Sequence, residues 1–267
     1  SSDLHVIQAW RQPGSSFKPF IYSAAIEKGF TATTQVNDAP LFFDAAATGS
    51  QAWEPKNYDG KFEGVMSLKT ALAKSKNMVS IRILQAVGPQ NAQQWVGRFG
   101  FDPEKHPPYL TMALGAGSVT PMQVALGYSV FANGGYLVKP YLITKVTDPL
   151  GKVLSSYTPI ELDDRARAVE PRNAFVISHL LQEVTRSGTA ARAQAVLKRN
   201  DIYGKTGTTN DSMDAWFAGY HTSLTAVTWI GYDTPRKLGD RETGGGLSLP
   251  VWISYMQDRK STRLNSS

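Results

Sequence analysis

Three short segments toward the C-terminal end of the chain constrain its fold more than any other feature. They cover residues 201–207, 214–221 and 224–233, they are rich in β-branched and aromatic side chains, and only short polar turns separate them. Segments of this composition predict strands, and turns this short join antiparallel neighbours. The sequence therefore predicts an antiparallel meander of three strands.

The chain before this meander has mainly helical patterns. Apolar residues recur at helical spacing, with Pro, Thr or Gly near the ends, over 16–28, 67–75, 78–88, 89–99, 120–135 and 171–188. A hairpin is expected around residues 149–151, a loop-rich stretch over 31–63, and a closing helix over 248–257. Helices followed by consecutive antiparallel strands predict an α+β fold in which helices cover the sheet, not alternating βαβ units.

The composition is that of an ordinary globular protein, with 42% hydrophobic and 19% charged residues over 267 positions. This length suits one large or two small domains. The net charge of +6 comes from scattered Lys and Arg, so no basic run favours a nucleic-acid partner. Cysteine is absent, which excludes thiolate chemistry, and His5, His106, His179 and His221 lack metal-ligand spacing, so no metal centre is expected. No apolar run reaches the ~20 residues that a membrane span needs.

Three short patterns carry candidate chemistry, and they are Ser15-x-x-Lys18, Ser75-x-Asn77 and Lys205-Thr206-Gly207. Each is weak alone, because patterns of two or three fixed residues occur by chance in many chains. Their context is more specific. The first opens a predicted helix, the second falls in the break between two helices, and the third ends a predicted strand.

A plainer interpretation of the first pattern is a capped helix start followed by a solvated lysine. Ser16 is a rival nucleophile, but Pro19, not a lysine, stands three residues after it. The polar residues flanking the other patterns are interpreted as structural, with Lys74 and Lys76 facing solvent and Ser212 and Asp214 in turns.

Longer stretches add a resemblance to a known family. They are "RQPGSSFKPFIYSAA", "KNYDGKFEGVMSLKTALAKSKN", "LGAGSVTPMQVALGYSVFANGG" and "GKTGTTNDSMDAWFAGY". From about Gln8 to Met256 the chain resembles the transpeptidase domain of bifunctional class A penicillin-binding proteins, the 1A type of Gram-negative bacteria in particular. The three patterns are also a signature of serine β-lactamases. The resemblance implies the fold that these proteins share, an antiparallel sheet flanked by a helical subdomain.

The resemblance assigns catalytic roles to Ser15, Lys18, Ser75 and Lys205. Ser15 would be the nucleophile, and a serine hydroxyl needs a base because it is a weak nucleophile at neutral pH. Lys18 would be that base if neutral, since burial and the cation of Lys205 would lower its pKa. Ser75 would relay a proton to the departing amine. The backbone N–H groups of Ser15 and Thr208 would form the oxyanion hole.

Substrate binding falls, by the same resemblance, to Asn77, Thr206, Gly207 and Thr208. Asn77 would hold the substrate amide through its side-chain carbonyl and amino groups. The hydroxyls of Thr206 and Thr208 would join Lys205 in binding the terminal carboxylate of the substrate. Gly207 would let the strand approach the ligand without a side-chain clash.

The implied reaction is D,D-transpeptidation of peptidoglycan stem peptides through an acyl-enzyme on Ser15, which β-lactam antibiotics would also acylate. No metal or organic cofactor is expected. Such a domain would act on the periplasmic face of the bacterial inner membrane, held by an anchor upstream of this chain. Two alternatives stay open: a hydrolase (β-lactamase or D,D-carboxypeptidase) in which water resolves the acyl-enzyme, and a non-catalytic penicillin-binding sensor. The sequence does not identify partners in the cell-wall machinery.

Residues 1–257 are expected to form one transpeptidase domain, and the polar residues 258–267 a disordered or non-native tail. The family places a membrane anchor and a glycosyltransferase domain upstream, and a β-hairpin just before the helix of Ser15. Only 14 residues precede Ser15 here, and residues 1–7 form at best one poor strand. The N-terminal strands are therefore expected to be missing, so strand 224–233 would expose an apolar edge that favours aggregation.

Overall fold

The computed structural model describes residues 2–48, 50–159, 161–240 and 242–264. Its α-helices are α1 (Ser2–Gln8), α2 (Lys18–Glu27), α3 (Ala45–Thr48), α4 (Leu68–Ala73), α5 (Asn77–Val87), α6 (Pro89–Gly97), α7 (Pro121–Ala132), α8 (Pro171–Arg186), α9 (Ala191–Leu197) and α10 (Leu249–Leu264). Its strands are β1 (Gln35–Asp38), β2 (Gly64–Ser67), β3 (Lys145–Thr147), β4 (Val153–Ser156), β5 (Tyr203–Thr208), β6 (Asp214–His221) and β7 (Leu224–Gly231).

Strands β5, β6 and β7 form an antiparallel sheet in that order, so the predicted meander is confirmed. Phe217 of β6 packs against Trp252 of α10, with ring centroids 4.9 Å apart. Tyr220 lies on the opposite face, since side chains alternate along a strand, and its hydroxyl lies 2.7 Å from the hydroxyl of Ser178 on α8. Helices therefore cover both faces of the sheet, as an α+β fold requires.

Helix α2 runs through the core, and every residue from Lys18 to Ile26 is buried. Phe20 packs against Phe101 and Phe131, with ring centroids 4.7 and 5.5 Å apart. Buried aromatic pairs of this kind contribute more than their area alone. Because α2 begins with Lys18, this packing also fixes the turn that carries Ser15.

Helix α7 begins at the residues that the sequence predicts. The Thr120 hydroxyl accepts a hydrogen bond from the Gln123 N–H at 3.2 Å, and Gln123 Oε1 accepts one from the Thr120 N–H at 3.0 Å. This capping box satisfies backbone donors that a helix start leaves free, and Pro121 occupies the first turn. The other predicted helices are present, with ends that differ by a few residues.

Residues 2–8 form helix α1, so the prediction of a poor strand there is wrong. Beside this helix, His5 Nε2 lies 2.8 Å from Asp233 Oδ1, just beyond the end of β7. Among the described strands, β7 pairs only with β6. The expected aggregation at its other edge stays a prediction.

The stretch 31–63 is not all loop, because β1 pairs antiparallel with β2 and places Gln35 opposite Ser67. Each strand has four residues and few apolar ones, which gives too little pattern for prediction. Helix α9 was also not predicted.

Helix α10 extends the predicted closing helix beyond residue 257 to Leu264. Residues 258–264 are therefore helical, whereas the sequence predicted a disordered or non-native tail over 258–267, and residues 265–267 lie outside the described residues. None of the helices within the described ranges has both the length and the hydropathy that crossing a bilayer requires.

Candidate active site

Ser15 lies in a 3₁₀ turn, Gly14–Phe17, that leads directly into α2. Gly14 has a φ of +55°, and a Cβ at this position would lie 2.5 Å from the carbonyl oxygen of Thr208. Only glycine allows this backbone conformation together with so close an approach. The turn is thereby held against the end of β5, and Ser15 stays partly exposed.

Ser16 is not available as the rival nucleophile. Its side chain is buried, and its hydroxyl donates a hydrogen bond to the carbonyl oxygen of Pro13 at 2.7 Å. The Tyr128 hydroxyl donates to the Ser16 carbonyl oxygen at 2.6 Å, which holds the turn from the other side. The prediction that discounted Ser16 agrees with this geometry.

Lys18 is fully buried, and its amine reaches the break between α4 and α5. Its Nζ donates to the Ser75 carbonyl oxygen and to Asn77 Oδ1, both at 2.7 Å, and lies 3.3 Å from Ser75 Oγ. Burial, and secondly the neighbouring Lys205, hold the pKa of Lys18 well below its usual value, against an opposing effect of Asp38. Burial and the neighbouring cation therefore favour the neutral form of this amine.

Ser75 has a φ of +57°, a left-handed conformation that directs the chain from α4 into α5. Its hydroxyl oxygen lies between the two lysines, 3.3 Å from Lys18 Nζ and 2.9 Å from Lys205 Nζ. Lys205 is also fully buried, and burial lowers its pKa to about 7. Two amines with lowered pKa values thus share one hydroxyl.

The Ser15 hydroxyl makes no hydrogen bond to another described residue, although Ser15 and Lys18 lie one helical turn apart. Catalytic hydrogen bonds are often long or absent before substrate binds and tighten in the complex. The first pattern thus places Ser15 and Lys18 one turn apart, but no hydrogen bond connects their side chains in this structure.

The end of β5 forms the opposite wall of the site. Thr206 Oγ1 lies 3.4 Å from Lys205 Nζ and 2.7 Å from the hydroxyl oxygen of Thr189. Thr208 Oγ1 accepts a hydrogen bond from the Gly244 N–H at 3.1 Å. A Cβ on Gly207 would lie 2.4 Å from the Pro13 carbonyl oxygen, so only glycine lets β5 lie against the turn of Ser15.

The structure thus brings the predicted site residues of the three patterns together. They are Ser15, Lys18, Ser75, Asn77, Lys205, Thr206, Gly207 and Thr208. Ser15 comes from the turn before α2 and Lys18 from the start of α2. Ser75 and Asn77 come from the junction of α4 and α5, and the other four residues from β5. Residues separated by more than one hundred positions therefore meet because β5 packs on α8 and on the turn of Ser15, while α8 in turn packs on α2 and α4.

Two predictions about neighbouring residues are wrong. Lys76 does not face solvent: it is 2% exposed and pairs with Asp38, Asp59 and Glu63 at 3.5, 3.2 and 2.8 Å. Burial alone would lower the pKa of Lys76, but its hydrogen bonds to Glu63 and Asp59 raise it. The carboxylates come from the stretch 31–63, whose folding the sequence did not reveal.

Asp214 is the first residue of β6 and not a turn residue. It is buried and accepts a hydrogen bond from Trp229 Nε1 at 2.9 Å, and burial raises the pKa of its carboxyl. Thr189, after α8, was missed altogether. A short Ser-Gly-Thr sequence after a helix is an ordinary C-terminal signal and gives no sign that Thr189 touches Thr206.

The family of this chain follows from comparison with known proteins. Residues 3–251 match the family model described as "Penicillin binding protein transpeptidase domain". The match covers most of the chain. The chain belongs to this family.

Within the family, the similarity is to the 1A type. The chain is 50% identical over 250 residues to penicillin-binding protein 1A of Neisseria flavescens, which covers 93% of this chain and 31% of that relative. The crystal structure of penicillin-binding protein 1A from Haemophilus influenzae superposes with a TM-score of 0.91 and 35% identity, over 96% of this chain and 43% of that one. The predicted resemblance to 1A-type transpeptidase domains is confirmed, and the chain spans about a third of the length of the curated relatives.

A third similarity is to PonA1 from Mycobacterium tuberculosis, solved in complex with penicillin V. It has a TM-score of 0.77 and 25% identity, over 94% of this chain and 69% of that one.

Proposed function

We propose that this domain is a serine D,D-transpeptidase that cross-links peptidoglycan stem peptides. The observation that carries the proposal is the placement of Lys18 and Lys205 on one hydroxyl, that of Ser75, beside the turn of Ser15. The lowered pKa values of both amines support proton transfer at neutral pH, which attack by a serine requires. The family to which the chain belongs supports the same reaction.

In the first half-reaction, Ser15 Oγ attacks the penultimate D-Ala carbonyl carbon of a donor peptide, and neutral Lys18 accepts the hydroxyl proton. The C–N bond to the terminal D-Ala then breaks. The Ser75 hydroxyl gives its proton to the departing amine and takes the proton held by Lys18. The products are an ester on Ser15, free D-Ala and a neutral Lys18.

In the second half-reaction, an amine of a neighbouring stem peptide attacks the ester carbonyl carbon. Its proton passes through Ser75 to Lys18, and Lys18 then returns a proton to Ser15 Oγ as the C–O bond breaks. The cross-linked peptide leaves and the serine is regenerated. No metal or organic cofactor takes part in these steps.

The oxyanion of each tetrahedral intermediate binds the backbone N–H groups of Ser15 and Thr208 in this proposal. The close approach of the Gly14 turn to the Thr208 carbonyl supports it, because it sets the two segments side by side. One such donor is typically worth about 10²–10³ in rate.

Donor peptide binding uses the other site residues. Lys205 with the hydroxyls of Thr206 and Thr208 binds the terminal carboxylate, and Asn77 binds a backbone amide of the donor. Gly207 leaves room for the strand to approach the peptide. The penicillin V complex of PonA1 supports the view that β-lactams acylate Ser15 in this chain also.

The domain acts, in this proposal, on the periplasmic face of the bacterial inner membrane, because its peptidoglycan substrate lies there. Stem peptides and β-lactams are the proposed partners, and nucleic acid is not among them.

The decisive experiment treats the chain with benzylpenicillin and maps the adduct by mass spectrometry. A long-lived adduct on Ser15 is expected, abolished in Ser15→Ala and retained in Ser16→Ala. Rapid loss of the adduct would instead indicate a β-lactamase.

A second measurement supplies a pentapeptide ending in D-Ala–D-Ala together with an acceptor amine. Release of D-Ala with formation of the cross-linked peptide is expected. Release with water as the only acceptor would indicate a D,D-carboxypeptidase, and an adduct without any release would indicate a sensor.

A further inference from the structure

We propose that Asn57, outside the three patterns, is a positioning residue that sets the orientation of Asn77 toward the amide of the donor. The inference rests on the proposed function, since it assumes that Asn77 binds that amide. Asn57 lies in the loop between β1 and β2, 20 residues before Asn77 in the sequence. Its side chain meets the first turn of α5, where Asn77 is the first residue.

The start of α5 lacks a cap of its own. Lys76 occupies the capping position but makes no side-chain cap hydrogen bond. Asn57 Oδ1 takes its place, because it accepts hydrogen bonds from the Asn77 N–H at 2.8 Å and the Met78 N–H at 3.4 Å. Backbone donors at a helix start require such a partner.

Asn57 is itself held in one orientation. Its Nδ2 donates to Asp38 Oδ1 and to the Lys61 carbonyl oxygen, both at 2.7 Å. The residue is 5% exposed, Asp38 is fully buried, and Lys76 pairs with Asp38 at 3.5 Å. Both ends of the Asn57 amide are therefore fixed, and a fully bonded buried polar group of this kind rigidifies its surroundings.

The same loop also holds the side chain of Asn77. Asn77 Nδ2 donates to the Lys56 carbonyl oxygen at 2.7 Å, while its Oδ1 accepts from Lys18 Nζ at 2.7 Å. An amide nitrogen carries two hydrogens, so one stays available for a carbonyl of the donor. Lys56 and Asn57 are adjacent, so one dipeptide binds both the backbone and the side chain of Asn77 and determines where that hydrogen points.

The test uses two penams that differ in one amide. Benzylpenicillin carries an acylamido side chain, whereas 6-aminopenicillanic acid has a free amine in its place. In Asn57→Ala, the acylation rate constant for benzylpenicillin should fall about tenfold or more, as expected for loss of a buried hydrogen-bonded partner. The rate constant for 6-aminopenicillanic acid should change much less, so the ratio of the two rate constants falls.

Asn91→Ala is the matched control. Asn91 Nδ2 donates to the Val87 carbonyl oxygen at 2.9 Å, at the other end of α5. Loss of that bond weakens the same helix without touching Asn77, so the ratio of the two rate constants should stay at the wild-type value.

An equal loss of both rate constants in Asn57→Ala, or a fallen ratio in Asn91→Ala, would overturn the inference in favour of a purely structural role. If Asn57→Ala does not fold, Asn57→Ser replaces it, because a hydroxyl is too short to reach the Asn77 N–H yet still polar beside Asp38. Failure of the proposed function is distinguishable, because wild-type protein would then form no adduct on Ser15.

Discussion

Lys205 Nζ lies 2.9 Å from the hydroxyl oxygen of Ser75. Lys18 Nζ approaches the same oxygen at 3.3 Å, so two buried amines lie on either side of one hydroxyl. The Lys205 cation is the second cause, after burial, of the lowered pKa of Lys18, whereas burial lowers the pKa of Lys205. The arrangement favours the neutral form of Lys18, and this has a measurable consequence.

Lys205→Met should move the pH dependence of penicillin acylation to higher pH. The rate rises with pH as Lys18 loses its proton, and without the Lys205 cation the pKa of Lys18 is higher, so less neutral amine exists at pH 7. Acylation at pH 7 should fall about 100-fold or more, because the proposed carboxylate contact is also lost. The pH profile of the acylation rate constant measures the shift. Lys152→Met, at an exposed position in the β3–β4 hairpin, should leave the pH profile unchanged. If the midpoint of the profile does not shift in Lys205→Met, the Lys205 cation does not lower the pKa of Lys18.

Gly207→Ala should both destabilise the domain and abolish most acylation. The added Cβ would meet the Pro13 carbonyl oxygen at 2.4 Å, so β5 and the turn of Ser15 must separate. Overpacking of this kind costs about 1–3 kcal/mol of unfolding free energy. Denaturant unfolding and penicillin labelling measure the two effects. Gly246→Ala is the control, because the atom nearest to its added Cβ would lie 3.4 Å away. Wild-type labelling in Gly207→Ala would show that acylation does not need the close approach of β5 to the turn of Ser15.

Lys76→Met should lower the unfolding free energy by about 3 kcal/mol, because it leaves the fully buried carboxylate of Asp38 without its cation. Lys74→Met removes a charge two residues earlier, where the side chain is 47% exposed and contacts Glu63, and should cost less than about 1 kcal/mol. Urea unfolding of the two variants gives the comparison. Equal costs would mean that the pairing around Asp38 contributes little.

The contrast between these lysines shows what the sequence could predict. The three patterns, read with the resemblance to a known family, gave the proposed catalytic positions, and each pattern lies at a helix start, a helix break or a strand end. Thr120 as the capping residue and Pro121 at the first helical position likewise predict the start of α7, since these signals are local in sequence.

The surroundings of Lys76 and Asn57 depend on contacts that are not local. Asp38 reaches them only because β1 pairs with β2, and neither strand has enough apolar residues to be predicted from its pattern. Residues that position the site were therefore missed, whereas residues that perform the proposed chemistry were identified.

The free edge of β7 should cause self-association at high concentration. Its residues are all partly exposed, and β7 pairs only with β6 among the described strands. A lysine on an edge strand opposes pairing with a second copy, so Thr228→Lys should reduce association in light scattering. Thr222→Lys places the same charge in the turn between β6 and β7 and should leave association unchanged. A wild-type chain that stays monodisperse at all concentrations would exclude edge pairing.

His106 should make the domain sensitive to acid. Its ring stacks on Phe17, next to the turn of Ser15, with centroids 4.5 Å apart, and neither ring nitrogen has a hydrogen-bond partner within the described residues. Burial lowers the pKa of His106 from 6.5 to about 4, with Asp102 opposing the shift.

Between pH 6.5 and about 4, His106 binds a proton in the unfolded chain but not in the folded chain. The unfolding free energy therefore rises with pH across this window, and about 3 kcal/mol of stability is lost as pH falls from about 6.5 to about 4. Urea unfolding at several pH values measures this slope, which His106→Leu should flatten because no group titrates at this position. His179→Leu, at an exposed position on α8, should keep the wild-type slope. A slope that is the same in His106→Leu and the wild type would assign the acid sensitivity to other groups and leave His106 as a packing residue alone.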